Sequence, residues 1–402
     1  MIREPIVVVG LDGRPLGDEV ERLLRDADLV VGGERHLEKF GVDRGRAVVL
    51  EGDLSVALER IEASEGLVVV LASGDPGFFG IVRLLGSRFG RENLRVLPGL
   101  SSVALAFAGV GISWDDAIAV SAHGREPRRA VNVCRAYPKV AVLTSPDFGP
   151  ADLARGLEGW GRTFIVAEKL GEPEERILRG DSAAVAGMRW EDPNVVLVLD
   201  EGRKDDGKGW ISSGIEGPGR WALSEDEFEH RSGMITKSAT RALVLSRLGP
   251  GPGDLIWDVG AGSGSVAIEC ARFGVAAVAV ERDHESCVRI LRNAERYRVR
   301  LRLVEGEAPE ALRGLPEPDA IFVGGTGEDY QEIVKLCGVL ARRSIVLALV
   351  GLERVVPAAQ ILEDCGWEVE TSFLQTSRMK GVGDLHRIAP ESSAFVVCGS
   401  RP

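Results

Sequence analysis

Residues 256–269, IWDVGAGSGSVAIE, leave a chain few ways to fold. Apolar residues without polar alternation form a strand buried on both faces, and that strand ends at Asp258. Gly260, Gly262 and Gly264 follow at two-residue spacing and open into an apolar helix. Glycine lets the backbone turn sharply and approach a bulky ligand without a clashing Cβ, and the free amides of the helix then face the ligand's polar group. The G-x-G-x-G spacing differs from the G-x-G-x-x-G that holds a pyrophosphate, so it suits a nucleoside cofactor lacking one. Seventeen residues past Gly264 a second apolar strand ends in Glu281, a carboxylate suited to accept bonds from both hydroxyls of a ribose. A third strand ends at Gly306, Glu307 and Ala308, where an adenine would sit, and a fourth at Gly324. All are carboxyl ends of strands, where open α/β sheets bind ligands.

With 402 residues the chain is too long for one ordinary core, which implies two domains. Residues 1–200 alternate short Val- and Ile-rich strands with helical stretches. Residues 201–222, rich in glycine and charge, break that pattern and read as a linker. Residues 223–402 read as doubly wound α/β, closing in an antiparallel hairpin with strands near 368–373 and 394–398. Fifty glycines, about 12% of the chain against a usual ~7%, fit folds with many tight strand-to-helix turns. The net charge of −12 argues against a nucleic-acid partner, which would call for a basic face. No two of the six cysteines have CxxC spacing, so no metal site is expected and the thiols read as reduced. Residues 1–10 read as a first strand rather than a leader, and no apolar run approaches the ~18 residues of a membrane span. A cytoplasmic location is the expectation.

The first half carries three glycine turns: VVVGLDG (7–13), LASGDPGFFG (71–80) and VLPGLSSVALAFA (96–108). Singly, each is an ordinary capped turn. Together they resemble the tetrapyrrole methylase family, class III methyltransferases that cup S-adenosylmethionine (SAM) between two α/β lobes. Residues 7–37, SAHGRE (121–126) and VLTSP (142–146) resemble the branch acting on late precorrins, which shares GLDG in place of GxGPGD. The resemblance implies that Gly74, Asp75, Phe78, Ser101 and Ser102 contact the methionine part of SAM. It also implies that Leu11, Thr144 and Ala167 line the cavity. Asp75 has a second reading, in which it only bonds its own turn.

The second half resembles class I SAM-dependent methyltransferases, which puts Gly324 beside the transferred methyl. GMITKSATRALVLSRL (233–248) and FVGGTGEDYQEI (322–333) narrow the resemblance to decarboxylating precorrin methyltransferase domains, in which Thr236 and Lys237 lie near the cofactor. Class III followed by class I resembles the fused decarboxylating precorrin methyltransferases of cobalamin synthesis. That family implies methylation at carbons 5 and 15 with loss of carbon dioxide from the ring C acetate, the precorrin-6Y to precorrin-8 step. It further implies two SAM sites and a homo-oligomer. Alternatives are a SAM-dependent RNA or other small-molecule methyltransferase, an NAD-dependent oxidoreductase, and a SAM-binding scaffold without activity.

In this chemistry the macrocycle supplies the nucleophilic carbon, so the protein's work is alignment and charge management. A substrate with several carboxylates calls for local basic residues. Two clusters are candidates: Arg125 and Arg128 with Arg129 after His123, and Arg378 and Arg387 with Lys380 and His386 in a loop before the last strand. His123 and His386 are the acid/base candidates because both sit in polar loops, with Lys237 the third catalytic candidate. His36 and His284 are set aside as non-catalytic.

Overall fold

The computed structural model describes residues 5–50, 52–202, 217–231, 233–325 and 327–401. Most of the expected linker, 203–216, lies outside the described residues.

Three sheets carry the chain. The first contains β1 (Ile6–Leu11), β2 (Leu29–Gly32), β3 (Ala47–Val49), β4 (Val68–Ser73) and β5 (Leu94–Leu97). Its order is β3-β2-β4-β1-β5 and every pairing is parallel. The run Ile6–Val9 and the run Val68–Leu71 are buried throughout, as strands covered on both faces must be. The second sheet contains β6 (Ile118–Ser121), β7 (Lys139–Leu143), β8 (Thr163–Glu168), β9 (Arg176–Gly180) and β10 (Asn194–Leu199). Its order is β6-β7-β10-β8-β9, with only β6 and β7 parallel. The edge strand β9 has no sequence expectation behind it. Its RILRG segment pairs on one side only and sends just Ile177 against the core, too short an apolar pattern to announce a strand.

The third sheet contains β11 (Leu255–Val259), β12 (Ala276–Glu281), β13 (Arg302–Glu305), β14 (Ala320–Val323), β15 (Ser344–Leu349), β16 (Glu368–Val382) and β17 (Leu385–Ser400). Its order, β13-β12-β11-β14-β15-β17-β16, reverses direction at β11, so β11 and β14 flank the crevice where such sheets take ligands. The expected closing hairpin is far longer than its apolar pattern suggested. β16 and β17 span 15 and 16 residues and pair from Glu368↔Ser400 to Val382↔Leu385. Only the C-terminal end of β17 is buried; from Ser377 to Ile388 the outer ladder is exposed throughout and so has no core-facing period from which to read it.

The halves are packed together. Helix Pro127–Ala136 begins with proline at its first turn, where no backbone donor is lost, and buries Ala130, Val131, Val133 and Cys134. From it Asn132 donates to the Gly253 carbonyl (2.9 Å), and Trp160 of the second lobe joins Leu255 and Trp257 in the core of the third sheet. Among the described residues no helix is long and apolar enough to cross a membrane.

Candidate active sites at the strand ends

Three loops meet backbone to backbone above the first sheet. A Cβ on Gly10 would fall 2.3 Å from the Gly99 nitrogen and 2.4 Å from the Gly74 oxygen, and the Gly74 amide donates to the Leu11 carbonyl at 2.6 Å. The three glycine turns of the sequence therefore form one knot at the carboxyl ends of β1, β4 and β5. Gly13, at φ +84°, seals the first lobe against the second, its Cβ position lying 2.4 Å from the Gly171 oxygen. Between the lobes lies a cavity of about 400 Å³. Leu11, Gly74 and Ser102 line it from one side and Ala167 from the other.

Four other expected residues of this half stand behind the wall. Ser101 caps helix Ser102–Val110 by accepting from the Ala104 amide (3.1 Å). Asp75 accepts from the Gly77 amide (2.8 Å), which is the second of its two sequence readings. Phe78 packs edge-on against Phe79. Thr144 donates to the side chain of Asn194 (2.7 Å), and Asn194 is the residue that reaches the cavity.

The second cavity, about 620 Å³, opens at the reversal point of the third sheet. Gly260 and Gly262 form its floor; Glu281, Gly306, Glu307 and Ala308 one wall; Gly324 another. The segment before helix Ser238–Leu248 brings Thr236 and Lys237 to it, and Ser392–Ala394 of β17 close it from above. Sequence reasoning missed that last contribution, because small residues at the base of a hairpin carry no motif. A Cβ on Gly262 would meet nothing within 4 Å, so this glycine leaves open the space a bound nucleoside would fill. One Glu281 oxygen accepts from the Gly262 amide (2.8 Å) and the other from the Arg282 and Asp283 amides (2.9 Å each). With about four acceptor positions on a carboxylate, that leaves about one for a ribose hydroxyl, not two. Glycines at strand ends line both cavities and the second adds an acidic wall, residues that fit a nucleoside cofactor such as SAM.

Asp258 and Gly264 lie beneath the second cavity, not on it. Gly264, at φ +72°, packs on Ile290 and starts helix Ser265–Arg272. Asp258 is buried and accepts from the Ala267 amide of that helix (2.9 Å). Burial pushes its carboxyl up to about 7; the Ala267 amide pulls it down and the charge of Glu281 adds to the rise. An unfolded aspartate titrates near 3.8, so the folded state binds its proton more tightly. The stability contributed is full below that value and is lost as pH rises through about 7. Asp258→Asn should abolish this slope, gaining at most about 4 kcal/mol over the wild type at pH 8. Thermal unfolding of both proteins at pH 5 and pH 8 checks it; parallel pH dependences would refute it.

The basic clusters fall elsewhere than expected. Arg128 forks onto Asp319 (2.6 and 2.7 Å), which also accepts from the Leu255 amide (2.7 Å). It is a bolt between the halves and does not line either cavity. Arg125 lies over the Phe79 ring, 5.7 Å from its centroid, and His123 is exposed beside it. Neither lines the first cavity. Arg378, Lys380, His386 and Arg387 belong to the β16–β17 ribbon, not to a loop. Arg378 is held by Glu391 (3.0 Å) and Glu225 (3.6 Å), while His386 and Arg387 are exposed on the outer ribbon, away from the cavity wall. His36, set aside on sequence, does line the first cavity, together with Arg14, Arg35 and Lys39. His284 instead bonds Glu305 at the surface (3.0 Å).

Comparison with known proteins assigns the class. Residues 13–186 match the family described as tetrapyrrole (corrin/porphyrin) methylases, and residues 226–397 match the precorrin methyltransferase domain. The fold and its strand-end cavities are those of a SAM-dependent methyltransferase, a tetrapyrrole methylase half joined to a Rossmann-like half. The precorrin-6Y C(5,15)-methyltransferase (decarboxylating) of Sinorhizobium sp is 40% identical over 335 residues, covering 81% of this chain and 78% of its own length. The cobalt-precorrin-7 C(5)-methyltransferase of Salmonella typhimurium is 36% identical over 44% of this chain and 87% of its own length. A probable cobalt-precorrin-6B C(15)-methyltransferase (decarboxylating) of Pyrobaculum calidifontis is 36% identical over 40% of this chain and 86% of its own length. The chain belongs to the precorrin-6Y C(5,15)-methyltransferase (decarboxylating) family. Its reaction is SAM-dependent methylation of a precorrin at carbons 5 and 15 with decarboxylation, in cobalamin biosynthesis.

Proposed function

We propose that each half holds its own SAM, the first cavity serving carbon 5 and the second serving carbon 15 and the decarboxylation. The observation that carries this reading is the pair of separate cavities, each floored by glycines at strand ends. Free-standing relatives with one activity each support the division of labour.

SAM, when bound, supplies an electrophilic methyl group. The chain's residues do the rest by placement. In the second cavity the Glu281 carboxylate, fixed by three amides, orients the ribose. Lys237, half-buried on the wall, puts a cation where the acetate of the substrate must lie before carbon dioxide leaves. In the first cavity the Gly10–Gly74–Gly99 knot holds the loop amides rigid, so the reacting carbon meets the methyl without loop reorganisation. His123, His386, Arg125 and Arg387 could contribute only at the outer edges of these sites; of them Arg125 stands nearest, against the 74–80 loop through Phe79.

The enzyme is further read as a cytoplasmic homo-oligomer. Met379 and Ile388 pair across the outer ribbon, each more than 70% exposed, and a second copy of the chain would cover them.

Titration of the intact chain with SAM in a calorimeter tests the central reading. Two equivalents are expected, with two methyls transferred and one carbon dioxide released per precorrin-6Y. One equivalent or none, with both halves folded, overturns it.

A further inference from the structure

The first cavity has a cationic lip. Arg35 and Lys39 lie four residues apart on helix Glu34–Lys39, a spacing that puts both side chains on one face. Both line the cavity, with Arg14 opposite. Their charges differ in how far they are spent. Arg14 is paired with Asp12. Arg35 donates to the Ser73 hydroxyl (2.7 Å), which fixes its guanidinium at the cavity edge, while Glu172, its acidic neighbour among the described residues, stands off at 3.9 Å. The Lys39 ammonium has no acidic partner among the described residues.

We propose that Arg35 and Lys39 grip carboxylate side chains of the tetrapyrrole at the mouth of the first cavity and set the ring's position over the methyl donor.

Three observations support the assignment beyond the charges. His36, between the two, reports their field: burial chiefly, and then the nearness of Arg35 and Lys39, push its imidazole down to about 4. The two cations add to the effect of burial on that imidazole, and the same charges face an incoming anion. The cavity lining also includes Leu100, Leu105, Leu170 and Val195, apolar surface on which a macrocycle edge can lie beside the donor. An anchored guanidinium also gives a planar, two-pronged match to a carboxylate, with little side-chain freedom left to lose. Glu172 would be the group displaced when a substrate carboxylate arrives.

The proposal rests on the reading that this cavity carries out the carbon-5 methylation. The test uses the full-length Arg35→Gln/Lys39→Gln double variant and the Arg35→Lys variant. Carbon-5 methylation is measured against substrate concentration, with SAM binding followed by calorimetry. The double variant should raise KM for the tetrapyrrole at least tenfold with kcat changed less than threefold. SAM affinity and carbon dioxide release should stay at wild-type levels, and Arg35→Lys should recover most of the loss. A KM within twofold of the wild type in the double variant overturns the proposal and leaves the reading intact. The Gly10→Ala variant, whose added Cβ would meet the backbone of Gly99 and Gly74, tests the reading separately: carbon-5 methylation that persists in it after SAM binding in the first cavity is lost overturns the reading and the proposal with it.

Discussion

Gly260→Ala is expected to silence the second cavity while sparing the first. The added Cβ would lie 2.1 Å from the Gly325 oxygen, with the Gly325 nitrogen at 2.7 Å and its carbonyl carbon at 2.8 Å. All three are backbone atoms, so no side chain can swing aside. Gly260 also sits at φ +69°, a conformation that costs any other residue about 1–3 kcal/mol. The clash forces apart the loops after β11 and β14, which are the two that bring Gly260, Gly324 and Gly325 to the cavity. A displacement worth about 3 kcal/mol costs about a hundredfold in binding. Carbon-15 methylation and carbon dioxide release should fall at least that far, and one of the two SAM equivalents should vanish from the titration. Gly262→Ala is the informative contrast, because its Cβ meets no protein atom within 4 Å. Its φ of +56° carries the same backbone cost of about 1–3 kcal/mol, but without a clash it should keep the fold and lose affinity by intruding on the ligand. Unchanged SAM stoichiometry and carbon dioxide release in Gly260→Ala would mean that the floor is not where the donor lies.

The second large effect is expected far from any ligand. Glu269 and Arg241 form an ion pair with both side chains fully buried (2.8 Å). Glu269 also accepts from the Ala222 amide (2.7 Å) and the Leu223 amide (2.9 Å). Arg241 donates to the Thr236 carbonyl (2.5 Å) and to that of Leu223, and lies over the Phe228 ring at 4.9 Å. The pair therefore pins the segment that enters the second domain and the Thr236–Lys237 stretch at the cavity. Glu269→Ala strands a guanidinium with no counter-charge and orphans two amides, a cost of about 3–5 kcal/mol. The urea midpoint of the second domain should drop accordingly, and SAM affinity there should weaken although Glu269 touches no ligand. Combining Glu269→Leu with Arg241→Met should return the part of the loss that comes from the unpaired Arg241 charge, while the Ala222 and Leu223 amides stay without their acceptor. A loss below about 1 kcal/mol in Glu269→Ala would show that water reaches the site and solvates the arginine.

What could be read in the chain follows a physical divide. The glycine turns at 10, 74, 260 and 262 were legible because their constraint is local: a strand must end and a backbone must turn where a Cβ has no room. Asp258 was legible as a motif residue but not in its task, since a carboxylate at a strand end can face a ribose or the helix beneath. The structure shows it turned to the Ala267 amide. The basic residues were the least legible. Arg128 and Asp319 are 191 positions apart, and nothing near either one announces the other. Arg35, His36 and Lys39 sit on a short helix that looks like any solvated turn until the two lobes close over it.

The sequence by itself determined the alternation of buried strands and helices, the strand ends at which ligands bind, and the succession of two methyltransferase halves. These depend on backbone geometry and on residues within a few positions of one another. Only the tertiary structure decided which charges are spent on holding the halves together and which remain to meet an anion. A charge takes its partner from whatever surface folding brings within a few ångströms, and distance along the chain does not set that.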